Sequence, residues 1–600
     1  MESPKLEPKR IIDLLPFQLK NFPKDAAFSD KITGKWRKYS TLQAKSIVDK
    51  LSLAFIKLGI KPGDTIALIS RNRVEWNFID LAVLQVGALL VPLYPNNSED
   101  NYCYIFDDAN IKLAFAENYE ILKKVKNVRK RTTAQIQEIF SINNIKNNHN
   151  WSELLDLADE SNRNELNLRI SNVKESGIAT VIYTSGTTGI PKGVMLTHKN
   201  IMSNVYALTQ LFPVHLYKRT ISFLPLCHIF EKSAVYFYML IGAEINYPES
   251  LETIGENIKE VKPNFFVTVP RLLEKVFEKI MAAGRDLNFI KLAIFGWAVN
   301  LANHFDLEGK NNLFYNVRLF FARKIVFVKW QEALGGEVKG IVSGSAALQP
   351  RLARIFTAAG MPVIEGYGLT ETSPVLTCNR FEKGRFYIGT AGKCIPGVSI
   401  KLSGENEILA KGPNVMLGYY RNNEATLHAI DSEGWFHTGD IGEIVNDGYL
   451  RIKGRLSDIF KTSGGKFVAP QLIENKMKES FFIEHIMVIG ENRKFTAAII
   501  QPKFDFIKKW AEKKNLPLNS PNEIVQSDEV KKRIWKEVQK YNKGFGHIEQ
   551  IKKIALVSDL WSVETGELTP TMKVKRRFLI EKYRDQMEHI YNAPGITNIL

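Results

Sequence analysis

An α/β protein is expected, with a large multi-lobed N-terminal domain and a smaller C-terminal α+β domain. Short apolar runs alternate with helical patterns as far as Val342, the order that builds sheets covered by helices. At 600 residues the chain exceeds what one core organises, at roughly 150 residues per domain. Composition also changes after Gly448, where RIKGRLSDIFKTSGGKFVAP runs from strand-like residues into polar turns and then the helical pattern QLIENKMKES.

In chain order, residues 65–70 read as a strand, 74–87 as a helix and 89–93 as a strand before the PNNSED turn. The Asn-rich stretch 143–164 reads as a surface excursion or mobile connection. Residues 179–182 form a strand entering YTSGTTGIPKG, and a helix is expected at 200–209, giving a strand, loop and helix in succession. Further strands are expected at 220–224, 265–268, 292–295 and 340–342. Between 296 and 339, Phe320, Phe321, Phe327 and Trp330 alternate with Arg318, Arg323, Lys324 and Lys329. This suits amphipathic helices capping the sheet, with peripheral membrane contact or an acyl-tunnel wall as competing roles. The boundary places an N-terminal core at 1–455 and a C-terminal domain at 456–600, whose clearest strands are 486–489 and 495–500.

Lys and Arg outnumber Asp and Glu by 81 to 64, a net charge of +17, which favours anionic partners without choosing among them. Nucleic acid is not expected, because no zinc-finger spacing, RNP run or suitably placed GXXG clamp occurs. Four scattered cysteines, Cys103, Cys227, Cys378 and Cys394, suit ordinary thiols in a reducing compartment. The charged N-terminus lacks a signal-peptide pattern, and the longest apolar tract, 81–94, is too short to span a bilayer.

The chemistry concentrates in motifs. In YTSGTTGIPKG, residues 183–193, Gly186 and Gly189 let backbone amides approach an anion. Thr184, Ser185, Thr187 and Thr188 add hydroxyls, and Lys192 offsets phosphate charge. ATP is the first ligand to consider, although the spacing is not GxxxxGK[ST]. In VIEGYGLTETSP, residues 363–374, Tyr367 offers a face to a purine, while Thr370 and Glu371 can organise a hard cation between phosphate oxygens. In SGSAAL, Gly344 and Ala346 suit close backbone approach. Asp440 of WFHTGD can accept two hydroxyl hydrogens, and Arg455 can donate to ribose or phosphate. His228 lies in LPLCHIFEK, and Lys573 in GELTPTMKVKRRF.

Taken in order from 183 to 578, these motifs resemble the adenylate-forming acyl-CoA synthetase superfamily. The TPTMK form and an extra residue in KTSGGKFVAP resemble its long-chain fatty acid–CoA ligase branch. The resemblance implies that Tyr367 lies against adenine with Glu365, Gly366 and Gly368 beside it. Thr370 contacts phosphate, Glu371 positions Mg2+ and Asp440 grips the ribose. His228 is implied to position or gate the acyl carboxylate rather than act as a base, since that group is already ionised. Lys573 is implied to reach across the domain boundary for adenylation and to leave when a mobile C-terminal domain turns. Ser457 then occupies the hinge position, where relatives more often carry Lys or Asp, and Gly464, Gly465 and Lys466 line a CoA path. ATP, Mg2+, CoA and a fatty acid or other carboxylate are the implied ligands. The implied location is the cytoplasm, including the inner face of the cytoplasmic membrane. Competing readings are a ligase for medium-chain, aromatic or sterol-type acids, an acyl-AMP ligase loading a carrier protein, and a noncatalytic basic scaffold.

Overall fold

The computed structural model describes residues 8–185, 190–250, 252–307, 310–382, 384–563, 565–569 and 573–592. Two compact units are present. The first comprises Met1–Lys401, Leu409–Thr438 and Val445–Leu450, and the second Leu402–Ile408, Gly439–Ile444 and Arg451–Leu600. The second unit therefore takes up two segments that precede the 455/456 boundary.

The first unit carries two large sheets. The seven-stranded sheet has Gly418–Tyr419 at one edge, followed by Pro191–Thr197, Ile178–Ser185, Leu89–Leu93, Thr65–Ile69, Leu113–Ala116 and Glu138–Ser141. The pairs from Ile178–Ser185 through Glu138–Ser141 are parallel, with Ala67 opposite both Val91 and Ala114. All five residues of Thr65–Ile69 and of Leu89–Leu93 are buried, as expected of strands covered on both faces. The nine-stranded sheet contains Phe265–Thr268, Gly340–Ser343 and Val363–Gly368 as successive parallel neighbours. Strand Val375–Cys378 then returns antiparallel to Val363–Gly368. The turn between those two strands carries Thr370 and Glu371.

The second unit contains a three-stranded sheet, Ile483–Ile489, Ala497–Pro502 and Lys553–Leu556, paired antiparallel and then parallel. Ile486, Val488, Ala498, Ile500 and Ile554 pack with Ile534 and Val538 of helix Asp528–Asn542. Lys531, Lys532, Lys536 and Lys540 of that helix lie outside this core, whereas the Arg533 guanidinium rests 4.5 Å from the ring of buried Phe482.

One of these expectations changes and two gain detail. Residues 292–295 are not a strand but lie within helix Phe289–Asn303. Asn288 caps it, accepting from the Lys291 N–H at 3.0 Å. Phe295, Ala298, Val299, Leu301 and Ala302 are its buried residues, a helical spacing that a four-residue apolar window cannot display. The 143–164 stretch is anchored by buried Trp151 and Leu154, and Asn150 Nδ2 donates to the carbonyls of Ser141 and Ile142 at 3.1 Å. The aromatic insertion divides, with Phe327 and Trp330 buried but Phe320 and Phe321 about half exposed. No helix among the described residues is long and apolar enough to cross a membrane.

Candidate active site

The glycine-rich loop joins two antiparallel strands, not a strand and a helix. Ile178–Ser185 pairs with Pro191–Thr197, with Thr184 opposite Lys192 and Ser185 opposite Pro191. The run Val194–Met195–Leu196 therefore completes a hairpin. Helix His198–Thr209 begins only afterwards, where Thr197 Oγ1 accepts from the Asn200 N–H at 3.0 Å. The helix start is thus separated from the loop by a whole strand. Gly193 is required by the hairpin itself, since a Cβ there would lie 2.8 Å from Val181 Cγ1 and 3.0 Å from Tyr183 Cζ. Gly186, Thr187, Thr188 and Gly189 lie outside the described residues.

Lys192 projects from this hairpin onto Tyr419, its ammonium 5.1 Å from the ring centroid. Tyr419 reaches that position because Gly418–Tyr419 pairs with the same strand, Tyr419 opposite Val194. Its hydroxyl in turn donates to Glu371 Oε1 at 3.0 Å. The backbone also holds Glu371, whose carbonyl accepts from the Met416 N–H at 2.8 Å. Lys192, Tyr419 and Glu371 thus form a connected cation, phenol and carboxylate. Sequence reading found the first and last of these and missed Tyr419, because nothing in GYYRN announces which residues it meets.

Glu371 sits in a short 3-10 turn, Thr370–Thr372, with Thr370 buried beside it. The turn is tight. A Cβ on Gly368 would lie 1.7 Å from the Pro374 carbonyl oxygen, so no larger residue fits there. Among the described residues no group of three or more His, Cys, Asp or Glu converges as a metal cage. Mg2+ in a nucleotide site would need only one or two carboxylates beside phosphate oxygens and water, and Glu371 is the carboxylate this turn could offer.

Behind the turn lies a narrow cavity of about 60 Å³. Gly366, Tyr367 and Gly368 line one side, and His228, Phe230 and Gly344 another. Phe212, Phe237, Phe265, Val267 and Val342 make the remainder strongly apolar. His228 caps helix Ile229–Leu240, its Nδ1 accepting from the Phe230 N–H at 3.1 Å. That bond orients the ring at the wall, as a positioning role requires. A Cβ on Gly344 would fall 2.9 Å from the Phe230 ring, so the loop glycine and this aromatic share one gap. Ala346 is exposed.

Glu365 differs from the role assigned to it. It is 7% exposed, and its Oε1 accepts from the Leu348 N–H at 2.8 Å, tying strand Val363–Gly368 to the loop that carries Gly344. Its Oε2 has no hydrogen-bond partner. Burial pushes the carboxyl pKa up to about 8, the Leu348 N–H opposing.

The second unit gathers the remaining groups. Arg455 Nε lies 3.0 Å from Asp440 Oδ1, with Asp440 nearly buried and Arg455 partly exposed. Lys573 lies within electrostatic reach of both, 118 residues beyond Arg455 in sequence. Its side chain exposes much of its surface, yet desolvation and then the Arg455 guanidinium hold its pKa below the ordinary value, against Asp440 and Asp458. The backbone around Lys573 is closed by Thr569, whose N–H donates to the Lys573 carbonyl at 2.8 Å and whose Oγ1 accepts from the Lys573 N–H at 3.0 Å. Buried Glu567 anchors this segment through Lys582 Nζ at 2.8 Å, a contact the sequence did not disclose. Ser457 is exposed in a turn. Gly464, Gly465 and Lys466 form the exposed tip of a hairpin between Phe460–Lys461 and Phe467–Val468.

Residues 15–420 match the AMP-binding enzyme family and residues 457–594 the AMP-binding enzyme C-terminal domain. The chain is 32% identical to the long-chain-fatty-acid–CoA ligase FadD15 of Mycobacterium tuberculosis, covering 94% of this chain and 93% of that protein. It is 30% identical to human long-chain-fatty-acid–CoA ligase 1, over 93% and 83% of the two chains. Among solved structures, the adenylation domain of a carboxylate reductase from Mycobacterium chelonae superposes with a TM-score of 0.76 at 20% identity, covering 98% and 92%. The anthranilate CoA ligase AuaEII with anthranoyl-AMP gives 0.71 at 19%, covering 96% of each.

Proposed function

Because the chain belongs to the AMP-binding enzyme family and is an ATP-dependent, AMP-forming carboxylate ligase, we propose that it joins a long-chain fatty acid to CoA. The carrying observation is the cavity behind the Tyr367 turn, whose walls are phenylalanine and aliphatic with His228 among them. Its lining offers an alkyl chain burial and offers the second carboxylate of a dicarboxylic acid no Lys or Arg.

The reaction runs in two steps. A fatty acid carboxylate oxygen attacks the α-phosphorus of ATP, and pyrophosphate leaves, giving acyl-AMP. The CoA thiolate sulfur then attacks the acyl carbon, the C–O bond to AMP breaks, and acyl-CoA and AMP are released. Lys192 and the glycine-rich loop hold phosphate oxygens, Tyr367 stacks on adenine, and Thr370 donates to phosphate. Mg2+, held by Glu371, would neutralise charge on the transferring oxygens. The Asp440–Arg455 pair holds the ribose, and Lys573 offers its ammonium to the oxygens that gain charge during adenylation. We further propose that the C-terminal domain turns about Ser457 between the steps, removing Lys573 and presenting Gly464, Gly465 and Lys466 to CoA.

A panel of carboxylates, read for both pyrophosphate and thioester, tests this. Each buried methylene contributes roughly 0.8 kcal/mol before ordering costs, so kcat/KM should climb with chain length among monomeric acids. Gly344→Ala, by pressing on Phe230, should cut the longest acids most. A maximum at acetate or an aromatic acid would sink the long-chain reading, and pyrophosphate without CoA thioester would favour transfer to a carrier protein.

A further inference from the structure

Three buried asparagines gather around the turn that carries Thr370 and Glu371. Asn204 lies fully buried in helix His198–Thr209. Its Nδ2 donates to the Val375 carbonyl at 2.7 Å, and its Oδ1 accepts from the Val375 N–H at 3.3 Å. Asn414, 1% exposed, donates from Nδ2 to the carbonyls of Thr372 at 2.8 Å and Val375 at 3.1 Å. Asn200 stands one turn before Asn204, on the same helical face. Its Nδ2 donates to the carbonyls of Pro413 and Val415 at 2.8 Å, and its Oδ1 accepts from the Thr197 N–H at 2.9 Å.

These bonds join three pieces of chain that are remote in sequence. Thr197 ends the strand that bears Lys192, residues 412–416 lead into Tyr419, and Thr372 is next to Glu371. The Met416 N–H bond to the Glu371 carbonyl continues the same seam. Asn414 is a poor choice for stability alone. Its Oδ1 has no hydrogen-bond partner among the described residues, and a buried amide oxygen left unpaired costs stability that an apolar side chain would not. The chain makes room for it even so, since a Cβ on Gly412 would lie 2.6 Å from that oxygen. What Asn414 contributes is therefore what its Nδ2 holds, the backbone beside Glu371.

We propose that Asn200, Asn204 and Asn414 are positioning residues for metal-bound ATP, fixing the turn of Glu371 relative to Lys192. Each acts through the backbone it holds rather than on the nucleotide itself. The proposal rests on the reading of Glu371 as the residue that positions Mg2+.

Titration calorimetry of the full chain with ATP, once with Mg2+ and once with the metal chelated, tests this without turnover. Residues in one hydrogen-bonded network couple by about twofold to a hundredfold, so Asn414→Ala should weaken MgATP binding roughly tenfold and metal-free ATP binding much less. In a Glu371→Gln background the same substitution should change MgATP binding little, because the group it places is already gone. Asn200→Ala, nearer the surface, should act in the same direction, and it decides the matter if circular dichroism shows that Asn414→Ala does not fold. Unchanged MgATP affinity in the folded variants would overturn the proposal. So would equal losses for MgATP and metal-free ATP, which assign the asparagines to the fold alone. Glu371→Gln by itself separates this from the reading beneath it. If that variant binds MgATP as the wild type does, both fall, whereas a weakened Glu371→Gln beside unaffected asparagine variants overturns the positioning alone.

Discussion

Tyr419 makes the most direct test of the nucleotide cluster, because it touches both Lys192 and Glu371 and carries no charge of its own. Tyr419→Phe keeps the ring beneath the ammonium and removes the bond to Glu371. Such a bond to a charged group contributes about 1.5–3 kcal/mol. If Glu371 works in the reaction, kcat/KM for MgATP should fall roughly tenfold or more with the melting temperature little changed, and Glu371→Gln should make the Tyr419 substitution nearly silent. Additive losses in the double variant would separate the two residues. Lys573 calls for a different measurement. Removing one strong transition-state donor costs roughly a hundredfold, so Lys573→Ala should slow acyl-AMP formation by about that factor while presynthesised acyl-AMP and CoA still yield thioester. Equal damage to both half-reactions in a folded variant would argue against a role confined to adenylation.

At the level of strands and loops, Glu365 binds the third parallel strand to the loop carrying Gly344 through the Leu348 N–H, and its titration gives that bond a pH signature. The folded carboxyl holds its proton up to about pH 8, against an ordinary value of 4.5. Between those values the unfolded chain has released a proton that the folded chain keeps, so stability is greatest below about pH 4.5 and falls as pH rises through 8. Glu365→Gln retains an acceptor for Leu348 and cannot titrate, so its unfolding free energy should decline less from pH 5 to 8 than the wild type's. Buried Glu231, also raised to about 8 by burial, leaves its own slope in place. An unchanged pH profile in Glu365→Gln would show that Glu365 does not titrate there. The same loop illustrates what was legible beforehand. Long buried strands such as Thr65–Ile69 and the order of the motifs were readable because hydrophobic period and glycine punctuation are local properties. The strand after the glycine-rich loop was mistaken for the approach to a helix because Val194–Leu196 is too short to show its period. Residues 292–295 failed for the same reason, whereas Tyr419 and Glu567 depend on partners far away in sequence.

Across the first unit, the two sheets were expected only as α/β alternation, because register and strand order arise from pairings that span up to hundreds of residues. The candidate nucleotide cluster draws on both. Tyr419 stands on an edge strand of the seven-stranded sheet and Lys192 on its neighbour, while Glu371 follows a strand of the nine-stranded one. A ligand gripped by both ends would act as a further staple between two layers of one compact unit. Ligand present at a hundred times its Kd adds about 2.7 kcal/mol to the state that binds it. MgATP should therefore raise the calorimetric transition of the first unit. Lys192→Ala, which cuts the staple at one end, should lose the rise and leave the sheets to melt as they do without nucleotide.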